Sequence, residues 1–176
     1  MNETLKTLES RRSCRKFVPG KMPSESDLNA ILRAGIYAPS GMGRQPVKVI
    51  AITNKELRDE ISVINAKFMG MGSDFDPFYG APVILAVIAD KSSPTYLYDG
   101  SLVMGNLLNA AESLGLANIW IHRAKEEFED EIGKNILKKL GIEGDWEGIG
   151  HVALGYAAEG GINAAAERKD SIHWIK

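Results

Sequence analysis

The sequence predicts an α+β layered sandwich, in which a central mixed sheet is flanked by helices. Two observations lead to this prediction. Segments of strand length alternate along the chain with segments of helical periodicity, and the run Pro82–Ala89 is almost continuously apolar. Such a run is typical of a strand that is covered on both faces, and helices on both sides of a sheet provide that cover. A length of 176 residues predicts a single domain, residues 1–176.

Five segments are predicted to be helices. A short one covers residues 3–10. The next follows Ser24, which has the form of an N-cap with acidic residues in the first turn, and it is expected to end before Pro39. Asn54 is expected to cap the third. The remaining two are 96–114, which is apolar around most of its circumference, and the amphipathic segment Glu126–Leu140, which runs up to Gly141.

Four segments are predicted to be strands. The glycine-rich and aromatic stretch between residues 70 and 80 is expected to be a loop. The predicted strands are Val47–Thr53, Pro82–Ala89, Leu116–Ile121 and Ile149–Tyr156.

Composition excludes several classes of function. A net charge of −2 gives no general attraction to nucleic acid or to anionic lipid. The single cysteine, Cys14, and three scattered histidines do not form a metal-binding pattern. The N-terminal segment Met1–Ser10 does not resemble a secretory signal, and Ala81–Ala89 is too short to cross a bilayer. We therefore expect a cytoplasmic protein that binds neither a metal, a nucleic acid nor a membrane.

Two segments stand out chemically. Arg11–Arg15 places three arginines within five residues, a pattern that suits an anion and is also compatible with a solvated basic turn. Ala38–Pro46 has prolines near both ends and small residues between them, so a flat ligand could approach its backbone, although most such stretches are ordinary turns. The sequence has neither a dinucleotide-binding glycine pattern nor a P-loop.

Taken together, five ordered motifs resemble those of the nitroreductase family. Arg-Arg-Ser-x-Arg-x-Phe begins at Arg11 and is followed by Ala-Pro-Ser-x-x-x-x-Gln-Pro at residues 38–46. The other three are Gly-Ala-Pro-Val-Ile at 80–84, the stretch from Leu114 to Ile121, and Gly-His-Val-Ala-Leu-Gly-Tyr at 150–156. The resemblance extends over nearly the whole chain and implies an FMN-binding, domain-intertwined homodimer with shared active sites.

The resemblance also implies roles for individual residues. Arg11 is expected to bind the FMN phosphate, and Ser13 and Arg15 to meet the ribityl chain and the pyrimidine edge of the ring. Residues 39–45 are expected to come from the partner subunit, and the helix 96–114 to form the dimer core. The backbone of residues 120–122 is expected to face the flavin N5. The full implied set is Arg11, Arg12, Ser13, Arg15, Pro39, Ser40, Gly41, Gln45, Trp120, Ile121, His122, Gly155, Arg168 and Lys169.

The implied function is hydride transfer from NAD(P)H through flavin N5 to a nitroaromatic, quinone or similar conjugated acceptor, in a ping-pong cycle. No protein side chain is expected to be catalytic, because the flavin carries the chemistry, and His122 is a candidate substrate contact. Alternatives are a reductive dehalogenase or a flavin-fragmenting enzyme on the same scaffold, and a non-catalytic flavin-binding redox sensor. Gly43 and the lysine-free stretch Asp76–Tyr79 depart from the family pattern. The physiological acceptor, the choice between NADH and NADPH, and any role of Cys14 stay open.

Overall fold

A computed structural model describes residues 1–169 and 171–176 of the chain. These residues contain six α-helices and four β-strands, which alternate after an opening pair of helices except where α5 is followed directly by α6. In chain order the elements are α1 (Glu3–Ser10), α2 (Glu25–Ile36), β1 (Val47–Ile52), α3 (Lys55–Phe68), β2 (Val83–Asp90), α4 (Tyr96–Ser113), β3 (Ala117–Ile121), α5 (Ala124–Glu129), α6 (Glu131–Lys139) and β4 (Trp146–Gly155).

The four strands form one sheet in the order β1-β2-β4-β3, so β3 is an edge strand. Each neighbouring pair is antiparallel. The predicted sheet is mixed, with both parallel and antiparallel pairs. In the described part of the chain the parallel pairing is a single one-residue bridge, between Ser13 and Asn118. Strands β1 and β2 are antiparallel because α3 and the loop after it return the chain to the end of β1, where Ile84 pairs with Ile52.

The sheet separates two apolar cores, which confirms the layered α+β class. Alternate residues of β2 enter the two cores, with Ile84 and Ile88 on one side and Leu85 and Val87 on the other. Helices α3, α5 and α6 cover the first side, and α2 and α4 cover the second. All residues of β2 from Val83 to Ala89 are fully buried, as the continuous apolar run predicts.

The predicted helix starts are confirmed. The Ser24 hydroxyl accepts a hydrogen bond from the Asp27 N–H, and the Asn54 side chain accepts one from the Leu57 N–H. These bonds satisfy backbone donors that have no partner inside the helix. Helix α2 ends at Ile36, before Pro39, as expected.

The prediction of one continuous helix over Glu126–Leu140 is wrong. The chain leaves the helical conformation at Asp130, whose ψ is 170°, and α6 then packs back onto α5. The contact is so close that a Cβ added at Gly133 would lie 2.3 Å from the Phe128 Cα. The apolar spacing of Phe128 and Ile132 continues across the break, so periodicity alone does not reveal it.

Helix α4 is apolar on two faces with different surroundings. One face is buried in the second core through Met104 and Leu107. The other exposes Leu97, Tyr98 and Leu102, of which Tyr98 is 73% exposed. Within the described residues no helix combines the length and the apolar character that crossing a bilayer requires. The expected cytoplasmic location and the single-domain assignment stay predictions.

Candidate functional site

The arginine-rich segment lies along the free edge of the sheet. Ser13 forms the bridge to Asn118 of β3, and the Cys14 N–H donates to the Asn118 carbonyl at 2.9 Å. On its other side the Arg15 N–H donates to the carbonyl of Gly161 at 2.7 Å. The segment is therefore held between the edge strand and the C-terminal stretch, and the first and fourth motifs of the sequence lie side by side.

An open groove of about 310 Å³ follows this edge of the sheet. It contains four of the residues predicted for the flavin site, and Tyr79 and Arg123, which sequence reasoning did not assign to it. Both of these residues have a positive φ, 54° for Tyr79 and 80° for Arg123, which is uncommon for a non-glycine residue and often marks functional sites. The six residues are Arg15, Tyr79, Trp120, Ile121, His122 and Arg123.

The backbone of β3 contributes hydrogen-bonding groups to the groove. The Asn118 carbonyl points out of the sheet, because it accepts from Cys14 rather than from β4. Residues two apart along a strand direct their backbone groups to the same side, so the N–H and C=O of Trp120 also face outwards. The unpaired edge can therefore bind a flat ligand that carries its own donors and acceptors.

The three arginines of the first motif differ in their surroundings. The Arg12 guanidinium donates to the carbonyls of Glu9 at 2.7 Å and of Arg11 at 2.8 Å, where it caps α1. Within the described residues the guanidinium groups of Arg11 and Arg15 form no hydrogen bond or ion pair. Arg11 and Arg15 are thus the cations of this segment that are available to an anionic ligand.

The second predicted segment, Pro39 to Gln45, forms a tight turn. The Ser40 hydroxyl accepts from the Gln45 N–H at 2.9 Å, and Met42, Gly43 and Gln45 all have positive φ. The Gly41 N–H donates to the Asp99 carboxylate at 2.9 Å. The turn therefore depends on a side chain of α4 for its position.

Sequence reasoning did not single out Asp99, which holds this turn. It is only 3% exposed, and its second oxygen accepts from the Thr95 hydroxyl at 2.8 Å. A Cβ at Gly41 would lie 2.3 Å from that hydroxyl oxygen, so only glycine fits beside it. The sequence signal is a carboxylate among the apolar residues of α4, which indicates that it has a partner but not which one.

The two segments do not meet within one chain. Pro39, Ser40, Gly43 and Gln45 of this turn line a second groove of about 630 Å³, which also includes Ile36 and Tyr37. This groove shares no residue with the groove along β3. Each set of predicted residues is therefore one half of a potential site, on a different surface of the chain.

Seven predicted residues line neither groove. Four of them belong to the two segments described above, namely Arg11, Arg12, Ser13 and Gly41, and the other three are Gly155, Arg168 and Lys169. Gly155 is buried, and a Cβ there would lie 2.8 Å from Pro82 Cδ, so packing explains this glycine. Arg168 and Lys169 are exposed in the C-terminal stretch, and among the described residues their side chains have no hydrogen-bond or ion-pair partner.

Cys14 is adjacent to Arg15 but is fully buried. Burial raises the pKa of its thiol, and this outweighs the lowering caused by a backbone hydrogen bond with Lys16. The protonated thiol is a poor nucleophile. Its surroundings therefore argue against a redox role.

The stretch Asp76–Tyr79, which lacks the lysine of larger relatives, is held by Arg58 of α3. The buried Arg58 forms an ion pair with Asp76 and donates to the Ala81 carbonyl at 3.0 Å. Asp76 also accepts from Ser62 at 2.7 Å and from the Gly80 N–H at 2.7 Å. This arrangement fixes the loop that presents Tyr79 to the groove along β3.

The fold and the two grooves define a class of protein: an α+β sandwich with an open, cationic groove at the edge of its sheet. Residues 8–70, which contain both unusual segments, match the model of the nitroreductase family. A protein of Archaeoglobus fulgidus with the provisional name NADH dehydrogenase/NAD(P)H nitroreductase is 30% identical over 161 residues, which cover 89% of this chain and 86% of that protein.

Two solved structures share the fold over the full length of both chains. A nitroreductase with bound FMN from Desulfitobacterium hafniense is 34% identical, with a TM-score of 0.86 and 100% of each chain covered. A nitroreductase with bound FMN from Bacteroides fragilis is 31% identical, with a TM-score of 0.87 and the same coverage. The chain belongs to the nitroreductase family.

Proposed function

We propose that this protein is an FMN-dependent oxidoreductase that uses NAD(P)H to reduce nitroaromatic, quinone or similar conjugated acceptors. FMN supplies the redox chemistry by taking a hydride from the nicotinamide and passing it to the acceptor, so that donor and acceptor use one site in turn. The observation that carries the proposal is the groove along β3, where the unpaired Arg15 and an unpaired strand edge lie together in a chain of this family.

The donors in this groove and in the arginine segment beside it fit FMN. Arg11 would bind the phosphate, because its guanidinium is charged and has no partner among the described residues. Ser13 and Arg15 would meet the ribityl chain and the pyrimidine edge, where a cation stabilises negative charge on the reduced ring. The backbone of Trp120, Ile121 and His122 would face the ring. Arg12 is the weaker candidate, because its guanidinium already caps α1.

The chain's own residues then bind and orient rather than exchange protons. His122 is exposed at the mouth of the groove and is the candidate substrate contact. Tyr79 and Arg123 lie on the same surface, where they would limit the size and charge of the acceptor.

The complete site would need a second copy of the chain. Pro39, Ser40, Gly41 and Gln45 would cover the cofactor of the partner, because Pro39, Ser40 and Gln45 line a different groove of their own chain and Gly41 belongs to the same turn. The exposed apolar residues Ile36, Tyr37, Leu97, Tyr98 and Leu102 support a homodimer, since a patch of this kind marks an interaction surface. Homodimerisation through α4 would bury these residues.

Spectroscopy of the purified protein tests the proposal. Protein reconstituted with FMN should show flavin absorption, and anaerobic NADH or NADPH should bleach it. Sedimentation should give a dimer, and dilution below the dimer dissociation constant should release FMN. A protein that takes up no FMN would overturn the cofactor assignment. A protein that binds FMN but is reduced by neither nucleotide would instead support the flavin-binding redox sensor.

A further inference from the structure

Three buried polar side chains form a hydrogen-bonded chain beneath the end of β3. Asn65 of α3, Glu127 of α5 and His151 of β4 are at most 2% exposed. The Asn65 amide donates to Glu127 Oε1 at 2.5 Å, and His151 Nε2 lies 2.5 Å from Glu127 Oε2. We refer to these three side chains as the buried network.

Burying the polar side chains of this network costs desolvation free energy that apolar side chains would not. It lies in the first apolar core, where the His151 ring meets Phe78 edge-on at 5.5 Å between centroids. Among the described residues, Asn65 Oδ1 and His151 Nδ1 are buried without a hydrogen-bond partner. An apolar side chain would avoid the cost of desolvating these groups, so the network requires a reason beyond stability.

One hydrogen bond connects the buried network to the backbone of the groove along β3. The same Asn65 amide nitrogen donates to the His122 carbonyl at 2.8 Å. His122 is the residue after β3, and both it and Arg123 line the groove. Asn65 therefore connects the buried carboxylate to the backbone of the candidate flavin site.

The orientation of the next N–H follows from this contact. In a trans peptide the carbonyl and the following N–H point in opposite directions. The His122 carbonyl points inwards to Asn65, so the Arg123 N–H points away from the network. Within the described residues this N–H has no hydrogen-bond acceptor. Arg123 has a φ of 80°, a conformation that surrounding contacts must maintain in a non-glycine residue.

We infer that Asn65 is a positioning residue, which holds the His122–Arg123 peptide so that the Arg123 N–H is presented to the flavin in the groove. Glu127 and His151 in turn hold the Asn65 amide in the orientation that reaches His122. This inference rests on the proposed function, because the group that accepts from Arg123 would be the bound cofactor.

Selective isotope labelling isolates this one peptide. His122–Arg123 is the only His-Arg pair in the sequence. Carbonyl-¹³C histidine combined with ¹⁵N-arginine therefore gives a single cross-peak in a carbonyl-selected NMR spectrum. Asn65→Leu, which removes the donor at similar volume, should shift this peak in the apoprotein more than any other arginine amide. It should also weaken FMN binding about fivefold to tenfold, the effect of one lost hydrogen bond.

Asn106→Leu is the matched control. The half-buried Asn106 of α4 also donates its amide to a backbone carbonyl, that of Ala34 at 3.1 Å, but away from the groove along β3. This variant should leave the peak and the FMN affinity unchanged. If Asn65→Leu does not fold, Glu127→Gln is the second test. It replaces one carboxylate oxygen by a donor and should shift the same peak less, in the same direction.

The outcomes separate the two proposals. An apoprotein peak that is unchanged in the folded variant of the network would show that the network does not hold this peptide. Wild-type protein that binds FMN without moving the peak would overturn the presentation of the Arg123 N–H to the cofactor. Equal weakening of FMN binding by Asn106→Leu, in protein that sedimentation shows to be dimeric, would overturn a specific role of Asn65 in FMN binding. Wild-type protein that binds no FMN would overturn the proposed function, while the apoprotein spectra still decide whether Asn65 holds the peptide.

Discussion

The two halves of the candidate site are built in different ways. The groove along β3 uses an edge strand, with two unpaired arginines beside it and a buried polar network behind its end. The turn from Pro39 to Gln45 is held mainly by one aspartate of α4, and its ends are stiffened by proline. The first half has the unpaired Arg11 and Arg15 for an anionic ligand. The second half has small residues, so a ligand can approach its backbone closely.

This difference indicates a division of labour. A cofactor phosphate and an electron-accepting ring need cations and directed donors, which the groove along β3 and the arginine segment beside it supply together. The turn can add contact area and exclude water without needing charge of its own. We therefore expect substitutions in the first half to weaken binding directly, and those in the second to act through the position of the turn.

The largest expected effect comes from the unpaired arginines. Arg11→Ala should weaken FMN binding by roughly 1–3 kcal/mol, because a charge-assisted contact with the phosphate is lost. Arg15→Ala should act in the same direction. Titration of the apoprotein with FMN, followed by fluorescence, measures both.

Arg12→Ala is the matched control, because its guanidinium already caps α1. It should change FMN affinity by less than about 0.5 kcal/mol, as for a substitution away from the binding contacts. An equal effect of Arg12→Ala and Arg11→Ala would contradict the distinction between engaged and unpaired arginines.

A smaller effect is expected from Asp99→Ala in the second half. It leaves the Gly41 N–H and the Thr95 hydroxyl without their acceptor, so the free energy of unfolding should fall by about 1–2 kcal/mol. FMN binding should weaken as well, because the turn loses its support. Urea denaturation and FMN titration measure the two effects.

Asp145→Ala is the comparison for Asp99. Asp145 is exposed and pairs with Lys91 at 3.1 Å, so its loss should change the free energy of unfolding by less than about 1 kcal/mol. FMN affinity should not change. If Asp99→Ala lowered stability but left FMN affinity intact, the turn would not belong to the site.

Acid should disturb the groove along β3 through the loop that carries Tyr79. Burial raises the pKa of Asp76, but the hydrogen bonds from Arg58, Ser62 and Gly80 outweigh it, so the pKa lies below its ordinary value of 3.8. A carboxyl with a lowered pKa stabilises the fold fully above pH 3.8, and this contribution is lost as pH falls through the folded-state pKa.

Urea denaturation between pH 2 and pH 5 tests this expectation. The protein should lose stability below about pH 3.8, and Asp76→Asn should lose less over the same range because it has no proton to bind. Parallel curves for the two proteins would show that Asp76 does not contribute to the acid sensitivity.

The smallest expected effect concerns Cys14. Because its thiol is buried and its pKa is raised, a thiol reagent at pH 8 should label it in urea but not in the native protein. Cys14→Ala should leave FMN affinity within about twofold of wild type, since the side chain faces the core. Rapid labelling of the native protein would restore the redox hypothesis.

Much of this architecture could be predicted from the sequence. Ser24 and Asn54 begin helices as predicted, and the apolar run of β2 is buried on both faces. The ordered motifs identified the family, and they also separated Arg11–Arg15 from Pro39–Gln45 as two contributors. Whether residues 39–45 complete the site of a partner stays a prediction.

The residues that support the site could not be predicted in this way. Asp99 lies 58 positions from Gly41, and Asn65 lies 62 positions from Glu127. The sequence pattern also does not reveal the helix break at Asp130 or the two hydrogen bonds of the Arg12 guanidinium. Each depends on which segments pack together.

The sequence by itself determined the strands, the family and the helices other than the break at Asp130, because caps, apolar alternation and motifs act over a few neighbouring residues. Only the tertiary structure decided which arginines are unpaired, which edge of the sheet is open and which buried amide reaches the groove. Those features depend on the burial and direction of groups that are far apart in the chain, and burial arises only when the sheet and its two helix layers close around them.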